Sequence, residues 1–149
     1  MHEIISLDRV RNPALQQLHR DWESRRRGRE FPARADFDPL DLKYILGHLS
    51  LIDVLHDPLR FRYRLHASKI AERICFDMTG KSLDLMPDAI FRKIVKDQFA
   101  EVVKSRAPVL SLRHNHTTDR RVLNDEALVL PLSKDGANID MLLVGYCWD

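Results

Sequence analysis

The sequence predicts an α+β fold: a five-stranded antiparallel sheet with helices on one face and an amphipathic helix at the N-terminus. Three observations carry this. Leucine and tryptophan recur at helical spacing between residues 13 and 28. Two strand-like runs, 49–55 and 60–66, flank the turn signal His56-Asp-Pro-Leu59. Three more strand-like runs follow one long amphipathic segment, and that order of elements favours antiparallel pairing.

Taken in order, Asn12-Pro13 supplies an N-cap and a first-turn proline, and Leu15, Leu18 and Trp22 form one apolar stripe that ends at Gly28. Residues 30–39 read as an extended linker, because Pro32 and Pro39 disfavour helix in the residues before them. Asp38-Pro39 then opens a short helix over 40–47. In the run 60–66, Phe61, Tyr63 and Leu65 share one face and Arg60, Arg62 and Arg64 the other, so one side of the strand faces water. Short helical pieces follow as far as Pro87. Phe91, Ile94, Val95, Gln98, Phe99 and Val102 then mark one face of a helix over 88–104 that lies across the sheet. The last strands are expected at 108–118, 121–132 and 138–148, the final pair joined through Lys134-Asp-Gly-Ala137. Pro131 cannot donate to a ladder and is expected at a bulge or strand end.

A chain of 149 residues, 44% apolar and 31% charged, fits one globular domain spanning 1–149, with the N-terminal helix and linker in 1–34 and the core in 35–149. No apolar run approaches the roughly 20 residues of a membrane span, and the N-terminus lacks a signal-peptide layout, so a cytoplasmic location is expected. Cys75 and Cys147 stand alone, which gives no support to a disulfide framework or a thiolate metal site. Net charge is +2, yet residues 1–34 hold eight arginines against five acids. Arg25-Arg-Arg-Gly-Arg29 could contact phosphates, but without interleaved aromatics or a DNA-reading motif it reads as a solvated helix end.

Gly80-Lys81-Ser82 looks like the end of a phosphate-binding loop and fails as one, because Cys75 stands where the earlier glycine is needed. No serine, cysteine or acid pair falls in a nucleophile or general acid/base pattern, so no catalytic residue is expected. Asp36, Asp38 and Asp53 read as turn and cap residues. His114 and His116 continue the face of Leu110 and Leu112, which points them at a cavity mouth as rim or core histidines, with ligand contact the alternative reading.

The last strand is apolar on both faces, with Ile139, Met141 and Leu143 on one and Leu142, Val144, Tyr146 and Trp148 on the other. Joined by Ile52 and Val54, the second set makes a patch too large for a free monomer surface. The Leu15/Leu18/Trp22 stripe is the expected cover over Val144 and Tyr146. It acts within the chain or by exchange between chains, and a homodimer is expected.

Trp22, Gly28-Arg29, Pro32-Ala-Arg34, Asp36-Phe-Asp38-Pro39, Leu51-Ile-Asp-Val54, Phe61-Arg-Tyr-Arg-Leu65, Thr79-Gly80 with Leu83-Asp-Leu85, and Leu130-Pro-Leu132 before Asp135-Gly136 together resemble the PAS domain, in particular its bacterial single-domain group PAS_5. The resemblance covers most of the chain and implies strand order 2-1-5-4-3, with helices enclosing a cavity against one face. The cavity is expected near Tyr63, Ile70, Ile74, Phe91, Ile94, Phe99, Leu110, Leu112, His114 and Leu130. Ala67 and Phe76 depart from the family pattern, which tends to glycine at both positions. The resemblance also bears on cofactors. Leu83 occupies the place of the thiol of flavin-binding relatives, and 88–104 holds no histidine for an axial haem bond, so neither cofactor is expected and any other is open. The function implied is a stand-alone sensory or signalling module that binds a small ligand or a partner protein and dimerises. With no effector after Asp149, its output is expected to pass through another protein. The alternatives are a small cone-shaped enzyme of dehydratase or isomerase type with His114 as base, and a nucleic-acid-associated protein using Arg25–Arg29.

Overall fold

The structure, a computed structural model, describes residues 2–116 and 122–148, with side chains described over 6–112 and 125–148. The expectations for the side chains of His114 and His116 therefore lie outside the described residues.

The Asn12 carboxamide accepts from the N–H groups of Ala14 and Leu15 at 2.9 and 3.2 Å and starts α1 (Pro13–Arg26), whose first residue, a proline, has no N–H to satisfy. Six strands make one antiparallel sheet: β1 (His2–Ile5), β2 (Leu49–Leu55), β3 (Arg60–Leu65), β4 (Val109–His116), β5 (Val122–Leu132) and β6 (Met141–Trp148), in the order β1-β4-β5-β6-β2-β3. From the β3 edge, the last five are the expected 2-1-5-4-3 arrangement. The addition is β1, which pairs Ile5 with Leu110 and Glu3 with Leu112 at the far edge. Four residues are too few for an alternation to register in the sequence.

Asp88 caps α3 (Ala89–Ser105) by accepting from the Phe91 N–H at 2.9 Å. Its buried face, with Ile94, Val95, Gln98, Phe99 and Val102, packs over β4 and β5. The Gln98 amide donates to the Ala127 carbonyl at 3.1 Å, so this buried polar group is satisfied. The short helix α2 (Ser68–Ile74) follows β3, and α3 packs with a core of Ile52, Tyr63, Met78, Leu83, Met86 and Phe99, all fully buried or nearly so. The Phe61 and Phe99 rings meet edge to face at 5.5 Å.

Several expectations are corrected. The segment expected as helix over 40–47 is a 3-10 turn, Pro39–Ile45, broken at Leu42 (φ −108°, ψ 16°). The last strand begins at Met141 and not at 138, because the Asp135 carboxylate accepts from the N–H groups of Ala137 and Asn138, both at 2.8 Å, and holds those residues in a loop.

The larger correction concerns strand phase, and Gly145 decides it. A Cβ there would lie 2.5 Å from Leu18 Cδ2 and 3.0 Å from Leu15 Cδ2, so α1 presses directly on the backbone of β6. Leu143 and Gly145 therefore face α1, and alternation turns Leu142, Val144 and Tyr146 toward α2 and α3. The register carries this across the sheet: Leu130 is opposite Leu143, Leu128 is opposite both Gly145 and Leu110, and Leu112 lies two residues along from Leu110. Leu110, Leu112 and Leu130 thus lie on the α1 face and not at a helix-covered cavity. Val144 and Tyr146 lie on the helix-covered face, and Leu15 and Leu18 cover the side of β6 opposite to the one expected. Because β6 is apolar on both faces, alternation alone leaves its phase open, and only the glycine shows where a helix comes close. Replacing Gly145 with valine overpacks this contact and is expected to cost about 1–3 kcal/mol, read by urea denaturation.

A bulge between Leu51 and Ile52 shifts the β2–β3 register by one residue. Leu65 consequently leaves the face of Phe61 and Tyr63, joins the arginine side and is 48% exposed. The outer edge of β3 is closed by the Gly80-Lys81-Ser82 segment. The Tyr63 N–H donates to the Lys81 carbonyl at 2.9 Å and the Gly80 N–H to the Tyr63 carbonyl at 2.7 Å, with φ at Gly80 of +77°. The tripeptide that resembles a phosphate loop is an edge cover.

Candidate functional site

On the α1 face, the sequence 25–39 folds into a tied loop that carries the next segment over the sheet. Asp36 is its centre, its carboxylate accepting from the Ala33 N–H at 2.7 Å and from the Arg29 guanidinium at 2.6 Å. The Ala33 bond, with the Arg29 bond and charge added, holds the Asp36 carboxyl below the usual carboxylate range. Arg25 donates to the Asp36 carbonyl at 2.9 Å and lies over the Phe37 ring at 5.3 Å, which fixes Phe37 in the core. Asp36→Ala removes two charge-assisted bonds and is expected to lower stability by about 1–2 kcal/mol, measurable as a lower melting temperature.

The arginine run is absorbed by this construction. Arg26 bonds Glu23 at 2.9 Å and stacks on Trp22, while Arg29 donates to the carbonyls of Arg25 and Arg26 at the end of α1. These groups satisfy the helix C-terminus and their neighbours. The nucleic-acid reading draws no support from them.

Between the tied loop and the sheet lies an open pocket of about 100 Å³, roofed by Phe37, Pro39 and Leu42 and floored by Leu49, Leu51 and Leu143. Leu46 and Leu65 form its rim, 53% and 48% exposed, and Arg34 lines it as the one charged residue. Arg34 donates to the Phe37 carbonyl at 3.0 Å and makes no ion pair among the described residues. Leu40 and Leu55 are also exposed, at 67% and 40%. Five-stranded periodicity did not point to this site. The signal that could have found it is the Pro32-Ala-Arg34 and Asp36-Phe-Asp38-Pro39 pattern, which sets Arg34 and Phe37 on either side of a carboxylate that caps the turn.

A second constructed feature anchors the edge cover. His66, buried just past the end of β3, accepts through Nδ1 from the Met78 N–H at 3.1 Å, and its backbone N–H donates to Thr79 Oγ1 at 3.1 Å. Burial pushes the imidazole down to about 4, against a smaller opposing pull from the Asp77 carboxylate 3.9 Å away. A neutral ring that accepts a backbone hydrogen bond is a structural histidine.

Of the residues expected at a cavity, Tyr63, Ile70, Ile94 and Phe99 are buried on the helix-covered side, and Ile74 and Phe91 are half-buried there. The Tyr63 and Phe99 rings lie 6.4 Å apart between strand and helix. Leu110, Leu112 and Leu130 stand across the sheet from them. Leu15, Leu18 and Trp22 are buried against their own chain's sheet, where the Trp22 indole N–H donates to the Pro131 carbonyl at 2.8 Å. Among the described residues, no group of three or more His, Cys, Asp or Glu is placed to hold a metal ion, and no helix is long and apolar enough to cross a membrane.

Over residues 10–146 the sequence matches the family described as PAS_5: PAS domain. A search of curated proteins gives no match. Among solved structures, a similar chain is a sensory box sensor histidine kinase from Vibrio cholerae, 19% identical, with 72% of this chain and 88% of that chain covered and a TM-score of 0.46.

Proposed function

The chain belongs to the PAS domain family, and from that premise we propose that it is a non-catalytic sensory or signalling module of the cytoplasm that forms a homodimer and passes its output to another protein. One observation carries the reading: exposed Leu46 and Leu65 rim an open apolar pocket on a sheet face that α1 covers only in part, and Leu40 and Leu55 add exposed apolar surface beyond it. Such a patch suits a protein partner. On the other face Tyr63, Phe99 and Met78 are buried, whereas the pocket on this face is open and rimmed by exposed leucines, which suits a partner protein as its occupant. A homodimer would form by exchange of α1, since Leu15, Leu18 and Trp22 would then make the same contacts between chains.

Native mass spectrometry of freshly purified protein tests oligomer and ligand together. A dimer without retained small molecule is expected. A monomer at high micromolar concentration removes the homodimer, and a stoichiometric bound metabolite replaces the partner reading with a small-molecule sensor. Proximity labelling in the source cell tests the partner, and labelling that matches an untargeted control removes it.

A further inference from the structure

We infer that the pocket beside Arg34 is a docking socket for an acidic amphipathic segment of a partner protein, which inserts one leucine- or phenylalanine-sized side chain and sets carboxylates on the surrounding arginines. The inference rests on the reading above, that output passes through another protein. It adds where that protein binds and what its binding segment looks like.

Size decides the kind of guest. Small-molecule sites usually enclose about 300–1,000 Å³. A cavity of about 150 Å³ takes a single benzene. The socket, at about 100 Å³, therefore holds one apolar side chain and leaves the rest of its guest outside. Around the opening, Leu46 and Leu65 give that guest an exposed apolar rim. Binding energy in protein interfaces concentrates in such anchored side chains, with a flatter surround that excludes water.

Charge decides the character of the partner. On the same sheet face, Arg60 stands opposite Leu55 and Arg62 opposite Asp53. Neither arginine makes an ion pair among the described residues, and Arg34 bonds only a carbonyl. Of the nearby acids, Asp53 binds Arg64 at 3.0 Å and Asp41 lies 3.5 Å from Arg25, whereas Asp38, which caps the Leu40 N–H at 2.9 Å, and Asp57 in the β2–β3 turn keep their charges. Arg34, Arg60 and Arg62 outnumber Asp38 and Asp57 among the groups without an ion pair here, so the balance at this face is positive, which favours carboxylates on the guest. A second copy of this chain is the poorer fit, because a two-fold contact would bring the arginine-flanked patch against itself.

The test selects random peptides displayed on phage against the intact chain and measures the enriched sequences, as synthetic fluorescent peptides, by anisotropy. Expected are peptides with a leucine or phenylalanine flanked by aspartate or glutamate, whose affinity falls about tenfold in Leu65→Asp and about fivefold in Arg34→Glu and in Arg62→Glu, and which weaken as salt rises. All three side chains are on the surface, and circular dichroism establishes that each variant is folded. Leu46→Asp, at the opposite rim, repeats the measurement should one variant fail to fold. Neutral or basic peptides, no enrichment, or binding indifferent to all of these substitutions would overturn the proposal. So would a dimer in light scattering that Leu65→Asp dissociates, since a second copy would then own the face. A partner found by proximity labelling whose capture ignores Leu65→Asp and Arg34→Glu overturns the socket and leaves the signalling reading standing.

Discussion

Trp22→Ala is expected to destabilise the protein by about 3–5 kcal/mol, the usual cost of emptying a buried tryptophan site. The indole is 3% exposed and lies at the far end of the α1 stripe from Leu15. Its N–H also donates to the carbonyl of Pro131, a residue whose ring nitrogen gives nothing to the ladder. Removing the indole opens a void and leaves that carbonyl without its donor. Trp22→Phe separates the two effects, because it retains most of the packing and loses the bond, for an expected cost of about 1–2 kcal/mol. Urea denaturation reads both. A folding loss that is the same across roughly a hundredfold range of protein concentration means that α1 covers its own sheet, whereas a loss that grows on dilution means that the helix is exchanged between chains.

The same helix marks the limit of what the sequence made legible. Element order, the α1 stripe, the face of α3 and the order of the five main strands all follow from periodicity and from cap and turn residues, which are local signals. Strand phase is not local. Residues 128–132 and 141–146 hold apolar side chains on both faces, so either assignment of Leu110 and Val144 buries a comparable surface. The deciding fact is the close approach of Leu18 to Gly145, a contact between residues far apart in the chain. The bulge that turns Leu65 outward is equally silent in a strictly alternating run. These two features together create the socket: the phase puts Leu143 on its floor, and the bulge puts Leu65 on its rim. The site was hidden for the same reason that the phase was.

Acid is expected to loosen the other end of this surface through His66. Its folded pKa lies near 4, below the ordinary 6.5, because burial disfavours the charged ring. A depressed folded value means that the contribution is complete above about 6.5 and is lost as pH falls toward about 4, by up to about 3 kcal/mol. Of the carboxylates with lowered values, Asp36, Asp77 and Asp135 have ordinary values of 3.8 and lose their contributions below this window, and Glu30, with an ordinary value of 4.5, begins to lose its own only at the window's lower end, so the change between about pH 6.5 and 5 belongs mainly to the imidazole. Urea denaturation at several pH values is expected to show the decline in the wild-type chain and a much flatter profile in His66→Gln. An unchanged slope in that variant would assign the acid sensitivity elsewhere. The consequence is structural as well as energetic. A protonated Nδ1 can no longer accept from Met78, and the edge cover over β3 loses its anchor one residue from Leu65 on the socket rim. Peptide affinity at the socket is therefore expected to fall with the same pH profile as stability, and an affinity that stays flat while stability declines would show that the edge cover and the socket are independent.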